Sequence, residues 1–354
     1  MRHHLADDPW YTIVGGSSPP DGPKGGSLGA HDQAQWESRV DGPVENEEED
    51  RVLTPAAEPV LTIGVPVYNG ERFLADALES LLAQDFTDFR LIVSDNASTD
   101  TTGQIAASFA ARDPRVSVVT HEVNIGGPGN FTSLVALATT PFFKWAAADD
   151  LCAPTFVSRC MQALGEHPEA VLAYPRTVLI DEHGTPIADY DDQLHTVDPD
   201  PVVRIRHYAL RRGLSNPAFA VIRTEPLRRT SLMQPKVSSD ITMLAELILQ
   251  GGFVNVDEPL FYRRKVSTSA GLGTLNRTQL QHWYRPGSRP SLVSPMLRAS
   301  WDIERSIARS DLPPAARLRV GAAYAAARTE RRLRTRASLA RRRIRTRLQP
   351  HTAP

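Results

Sequence analysis

Cysteine is almost absent from this sequence. The 354 residues hold two, Cys152 and Cys160. Two thiols cannot build a disulfide framework, and these two lack the spacing of zinc ligands. The chain therefore suits a reducing compartment, and a cytoplasmic location is expected. Long apolar runs are missing too: no window approaches the roughly 18 to 20 uninterrupted apolar residues of a membrane span. The opening MRHHLADDPW lacks the apolar middle of a signal peptide, so neither a spanning segment nor export is expected. Net charge is also small, at -1, but it conceals an acidic run ENEEED near the start and an arginine-rich stretch near the end. Local runs of charge, more than the total, decide which partners a chain meets.

What is present is enough apolar residue, 41% of the chain, to bury a sizeable core. Residues 1–57 stand apart from it: Gly, Pro, Ser and acids dominate without periodicity, and this tail is expected to remain disordered. From Val60 the texture changes. VLTIGVPVYN reads as a buried strand, RFLADALESLLAQ puts apolar residues at helical spacing, and FRLIVSDNASTD is a second strand ending in turn formers. A helix near Thr102 to Ala111, a strand RVSVVTH, a Gly-rich loop NIGGPGN, a helix FTSLVALAT and a strand PFFKWAA continue the alternation. Such alternation predicts an α/β fold, a mainly parallel sheet flanked by helices. Further along come a strand AVLAYPRTVLID and a helix that starts after Ser238 or Ser239 and ends at Gly251 and Gly252.

In such sheets ligands bind beyond the carboxyl ends of the strands, where PVYN, SDNASTD, NIGGPGN and ADD all fall. Asp95, at a strand end, fits either a ligand contact or an Asx turn holding local backbone. Asp149 and Asp150 raise one another's pKa unless positive charge is near. A divalent cation on a diphosphate would supply that charge, whereas a solvated pair capping the next helix needs none. Asp240 falls in the first turn of the Ser238/Ser239 helix, where the helix dipole alone favours an acid. NIGGPGN has the spacing of neither G-x-G-x-x-G nor the P-loop. Its glycines are expected to make a tight turn, with Asn124 and Asn130 capping local backbone. The two cysteines, Phe142 and Trp145 are expected in the core.

TIGVPVYNGERFLADALESLLAQDFTDFRLIVSDNASTDTT, followed by FFKWAAADDLCAPTFV, resembles the nucleotide-sugar half of the family 2 inverting glycosyltransferases, which have the Rossmann-like GT-A fold. The resemblance runs from about Val60 to Pro154 and, less tightly, to about Ser269. It implies a GT-A domain over 58–270, with a nucleotide-sugar half at 58–154 and an acceptor half at 155–270. It further implies that Pro66, Val67 and Tyr68 line the nucleotide pocket, with Glu71 nearby, and that Asp95 bonds the base. Asp149 and Asp150 occupy the family's DxD region, where Ala148 replaces the first acid of a strict DxD. Asp150 is then the ligand of a divalent metal, magnesium or manganese, and Asp149 faces the donor's sugar or ribose. Asp240 is the implied general base. FYRRKVSTSAG resembles the family's closing segment, with Lys265 where relatives often carry His. Arg263 and Lys265 either face the diphosphate or belong to a basic surface loop.

These residues have a chemical reason to occur together. Inverting transfer needs a carboxylate to take the acceptor's proton on one side and charge neutralisation of the leaving diphosphate on the other. The expected donor is a UDP-, dTDP- or GDP-linked sugar, and the expected acceptor a glycan or lipid-linked glycan. Two other functions remain open: a sugar nucleotidyltransferase, which would want a GGxGTR-like loop where PVYNGER stands, and a non-catalytic glycan-binding or scaffold protein of the same fold. Residues 271–312 read as a linker or helical segment. Residues 313–354 read as an Arg-rich helical extension, with twelve Arg against one Glu between Ala315 and Leu348. A basic helix of this kind binds anionic lipid or nucleic acid. No nucleic-acid module accompanies it, so peripheral attachment at the inner membrane face is expected, with a solvated helix as the alternative.

Overall fold

The computed structural model describes residues 58–265, 277–285, 287 and 294–348. The disorder expected for residues 1–57 lies outside them. The elements run β1 (Leu61–Val67), α1 (Leu74–Leu82), β2 (Phe89–Asp95), α2 (Thr102–Arg112), β3 (Val116–Thr120), α3 (Gly126–Leu137), β4 (Phe142–Trp145), β5 (Leu151–Cys152) and α4 (Phe156–Glu166). They continue with β6 (Ala170–Ile180), β7 (Pro186–Tyr190), α5 (Pro201–Arg211), β8 (Val221–Arg223), α6 (Thr224–Arg228), α7 (Ser239–Gln250), β9 (Gly252–Arg264), α8 (Arg277–Tyr284), α9 (Pro295–Arg309) and α10 (Pro314–Leu348).

The strands form one sheet in the order β3-β2-β1-β4-β8-β6-β9-β5, with β7 paired to β6 outside that order. The first four strands are parallel, as their alternation with helices requires. Beyond them β6 and β9 pair in parallel from Ala170 to Ile180, β8 runs antiparallel between β4 and β6, and β5 and β7 are antiparallel to β9 and β6, so the sheet is mainly parallel, as expected, with short antiparallel insertions.

β1 is buried along its whole length because it lies at the sheet centre with helices on both faces. Neighbouring residues of β2 divide between those faces: Leu91 and Val93 join the core under α1, α2 and α4, and Ile92 joins the core under α3 and α7. In α1, Leu74, Ala77, Leu78 and Leu81 recur at helical spacing and supply its buried face. α5 starts on Asp200, whose carboxylate accepts the Val202 N–H at 2.9 Å, with Pro201 at the first helical position.

The C-terminal helices belong to the same body. Ile303 and Ile307 of α9 and Val320, Tyr324 and Ala327 of α10 are buried in one cluster with Ile205 and Tyr208 of α5 and Leu244 and Ile248 of α7. The first half of α10 is thus a core helix packed with α5, α7 and α9. Among the described residues no helix is long and apolar enough to cross a membrane.

Candidate active site

The carboxyl ends of β1 and β2 are tied together before any ligand arrives. Asn69 accepts the Thr99 N–H at 2.8 Å, and the Gly70 N–H reaches the Thr102 hydroxyl at 2.8 Å. Glu71, expected near the nucleotide, turns its carboxylate to the Thr101 N–H and hydroxyl at 3.1 and 2.8 Å. Asp100 accepts from Thr102 and from the Glu71 N–H. Burial works to raise its pKa, but these hydrogen bonds outweigh it and leave the carboxyl below its usual range. Two loops distant in sequence become one rigid rim.

On this rim Pro66 and Val67 are buried in the strand end, while Tyr68 is 49% exposed. Asp95 is 3% exposed, and one of its oxygens holds the Ser98 N–H at 3.0 Å. The Asx turn is therefore real. It leaves the second oxygen beside Gly103, where an added Cβ would sit 3.3 Å away.

The Gly-rich stretch departs from expectation: α3 begins at Gly126, so NIGGPGN is mostly the first turns of a helix. Asn124 does cap locally, accepting the Gly126 N–H at 2.8 Å. Asn130 instead donates to Ser94 O at 2.9 Å and Val67 O at 3.3 Å, and accepts the Ser94 hydroxyl at 2.5 Å. It closes the gap between the two strand ends, and no local signal marks it for that task. Glycine is required at 127 because a Cβ there would lie 2.5 Å from the Trp283 ring of α8.

Asp149 and Asp150 follow β4. The Asp149 carbonyl accepts Arg264 Nε at 2.9 Å, and the 7% exposed Asp150 carboxylate accepts the Arg264 N–H at 2.8 Å. Burial pushes the Asp150 carboxyl up to about 8, helped by the Asp149 charge and opposed by Arg263, the Arg264 N–H and Lys144. Lys144 is fully buried in β4, with its ammonium on Phe219 O at 2.7 Å and over the Phe156 ring at 3.8 Å. Its burial lowers its pKa and that of Cys152 and Cys160 rises, which keeps both thiols protonated and inert.

Asp240 lies in the first turn of α7, behind Ser238 in the left-handed conformation at φ 68°. Burial raises its pKa; a hydrogen bond from Ser215, the Ile241 N–H and the charge of Arg263 oppose the rise. Arg263 also bears on Asp150 and on buried Asp192, whose carboxyl burial pushes up to about 7. Its Nη1 donates to Leu214 O at 2.9 Å and to Asn216 Oδ1, gripping both neighbours of Ser215. For Arg263 the reading as part of a basic surface loop is thus corrected; residues 266–271 of FYRRKVSTSAG lie outside the described residues. Arg263 and Arg264 end the long strand β9, 7% and 3% exposed, because their guanidinium groups satisfy backbone carbonyls and buried acids. Lys265 is exposed.

Among the described residues no three His, Cys, Asp or Glu side chains gather into a cage for a metal ion. The adjacent carboxylates of Asp149 and Asp150 fit a different arrangement. In it, a magnesium-like cation takes one or two protein carboxylates and draws its other oxygens from a bound diphosphate and water.

A parallel four-stranded half, a mixed second half and acids collected at the strand ends define a GT-A domain. Solved structures share this fold: that of Staphylococcus aureus TarS 1–349 in complex with UDP-GlcNAc superposes with a TM-score of 0.54 at 19% identity, covering 73% of this chain and 69% of that one. Residues 62–213 match the model of Glycosyl transferase family 2, and this segment is a family 2 glycosyltransferase domain. EpsJ, a glycosyltransferase of Bacillus subtilis, is 32% identical over 112 residues, 31% of this chain and 31% of its own. Protein y4gI of Sinorhizobium fredii is 33% identical over 129 residues, 36% of this chain and 14% of its own. The chain thus spans less than a third of either relative.

Proposed function

We propose that this protein transfers a sugar from a nucleotide-diphosphate donor to an acceptor hydroxyl, with inversion at the anomeric carbon. The observation that carries the reading is Arg263, whose charge reaches Asp150 in the donor half and Asp240 in the acceptor half. One buried cation thereby ties a diphosphate-side acid to an acceptor-side acid. The acceptor oxygen attacks the anomeric carbon, its proton passes to Asp240, and the bond to the diphosphate oxygen breaks with its electron pair leaving on the diphosphate. A raised pKa makes Asp240 a stronger base, which suits this step. Asp95 and Tyr68 hold the base, with Pro66 and Val67 beneath. Glu71 acts through the rim, and Asp149 faces the ribose or sugar. Asp150 would hold magnesium or manganese, which when bound neutralises charge on the departing diphosphate.

UDP-, dTDP- and GDP-sugars tested with manganese by thermal denaturation should include one that raises the wild-type midpoint. The rise should be on the order of 5 °C with the donor about 100-fold above its Kd. Asp95→Ala should lose that shift. A panel in which no donor moves the wild type would overturn the reading.

The acceptor is proposed to be a glycan, free or lipid-linked, met at the cytoplasmic face of a membrane. The far half of α10 supports this, since Leu333 is 60% exposed between Arg332 and Arg334, and Arg341, Arg342 and Arg343 follow. Basic residues with an apolar neighbour favour anionic lipid. Cutting the chain near Pro313 would strip Val320 and Tyr324 from the core, so charge reversal of Arg341, Arg342 and Arg343 to Glu is the cleaner test. The full chain should float with phosphatidylglycerol vesicles and the reversed variant should not; equal recovery of both would sink the attachment.

A further inference from the structure

The face of the acceptor half next to Asp240 holds an unusual pair. Arg212 follows α5, Arg331 comes from α10, and the Arg331 guanidinium donates through Nη2 to Arg212 O at 2.8 Å. Neither forms an ion pair with a carboxylate among the described residues. Each keeps its Nη1 buried and without a hydrogen-bond partner, and the hydroxyl of Tyr324, two turns before Arg331 on α10 and 1% exposed, is likewise unpaired. Among the described residues these three buried donors have nothing to donate to. Burial and the charge of Arg212 together bring Arg331 down to about 10.

Two guanidinium groups near enough to feel one another's charge repel, and each buried donor without an acceptor costs free energy. An arrangement that penalises the empty chain in this way is relieved by a small oxyanion, which accepts several hydrogen bonds and neutralises both charges. Both side chains are half-buried, so one flank of the pair opens to solvent. The position relative to Asp240 is set by Tyr208, whose hydroxyl donates to Ile241 O at 2.6 Å, one residue past Asp240, and which feels the charges of Arg212, Asp240 and Arg331. The donor rim, by contrast, is built from β1, β2 and β4.

We infer that Arg212, Arg331 and Tyr324 form a subsite for an oxyanion, a phosphate or carboxylate group carried by the acceptor. Its assignment to the acceptor rests on Asp240 being the base proposed above; the subsite itself does not. The inference gives the arginine-rich helix a second task, because Arg331 lies where α10 leaves the core.

The test is thermal denaturation of the full chain in phosphate-free buffer and with inorganic phosphate or acetate. Phosphate should raise the wild-type midpoint by a few degrees, and Arg331→Gln and Arg212→Gln should abolish that response. Without phosphate, Arg331→Gln should be at least as stable as wild type, since it removes a half-buried cation that repels Arg212 and has no carboxylate partner among the described residues. With phosphate the order should reverse. A purely structural Arg331 would give a less stable variant in both buffers, which would overturn the subsite. Arg331→Lys, which keeps the charge without the planar fork, should retain part of the response. Asp150→Asn, which changes the acid assigned to the diphosphate side, should retain all of it, which separates this subsite from the donor's diphosphate site. A larger response to phosphate points to a phosphodiester-bearing acceptor, and a larger one to acetate to a uronic acid. Unchanged phosphate binding in the Arg212→Gln/Arg331→Gln double variant would overturn the proposal. None of these readouts needs turnover, so a failed Asp240 reading, seen as activity retained in Asp240→Asn, is told apart from a failed subsite.

Discussion

Asp240→Asn should lower turnover by about 10³-fold while leaving donor binding intact. The amide has the shape of the carboxylate, and its oxygen still accepts from Ser215 and the Ile241 N–H, so the first turn of α7 keeps its geometry. What it loses is the ability to take a proton at neutral pH. The variant should also be no less stable than wild type, because a neutral group replaces a carboxylate whose burial opposes ionisation. Donor-induced thermal stabilisation should therefore persist in a protein that no longer transfers sugar. Activity within tenfold of wild type would remove Asp240 from the role of base.

Arg263→Met should be the most damaging single change in the acceptor half, costing about 3 kcal/mol at pH 8. It deprives Leu214 O and Asn216 Oδ1 of their donor and removes the charge that opposes protonation of Asp150, Asp192 and Asp240. The sign of the pH dependence follows. A carboxyl whose pKa is raised in the folded state binds its proton more tightly there than in the unfolded chain, so stability falls as pH climbs from the unfolded value toward the folded one. At pH 5 Asp150, at about 8, and Asp192, at about 7, already hold protons in the wild type, so the variant loses only hydrogen bonds there. At pH 8 it also loses the pairing of charge. Urea denaturation at the two pH values should show the larger loss at pH 8; equal losses would refute the electrostatic part of the account. In the same variant the acidic limb of the rate profile should move to higher pH as Asp240 becomes harder to ionise. Arg263→Lys should fall between, because an ammonium keeps the charge but cannot fork to both partners.

Much of this was legible in the chain itself. Apolar runs bounded by turn formers marked β1, β2 and β4, and the helical spacing of Leu74, Ala77, Leu78 and Leu81 marked α1, because both patterns are written in neighbouring residues. The acids at the strand ends, Asp95, Asp149 and Asp150, and Asp240 in a helix's first turn, stood out for the same local reason. The resemblance in that stretch pointed to the family 2 domain found over 62–213.

The tertiary structure decided what depends on distant partners. β8 is three residues long, and only the strands beside it make it an antiparallel insertion in a mainly parallel sheet. Within NIGGPGN, Gly127 leaves space that Trp283, more than 150 positions later, fills. Asn130 bridges Val67 and Ser94 through hydrogen bonds that span 63 and 36 positions. Charge patterning left Arg263 either facing the diphosphate or in a basic surface loop and put Arg331 in a basic helix, since an isolated guanidinium prefers water. In the fold, backbone carbonyls and buried acids from separate elements meet around Arg263 and Arg264, and those partners exist only once the chain has closed. Local pattern therefore set which elements form and which acids face the strand ends. Long-range packing set which cation governs them.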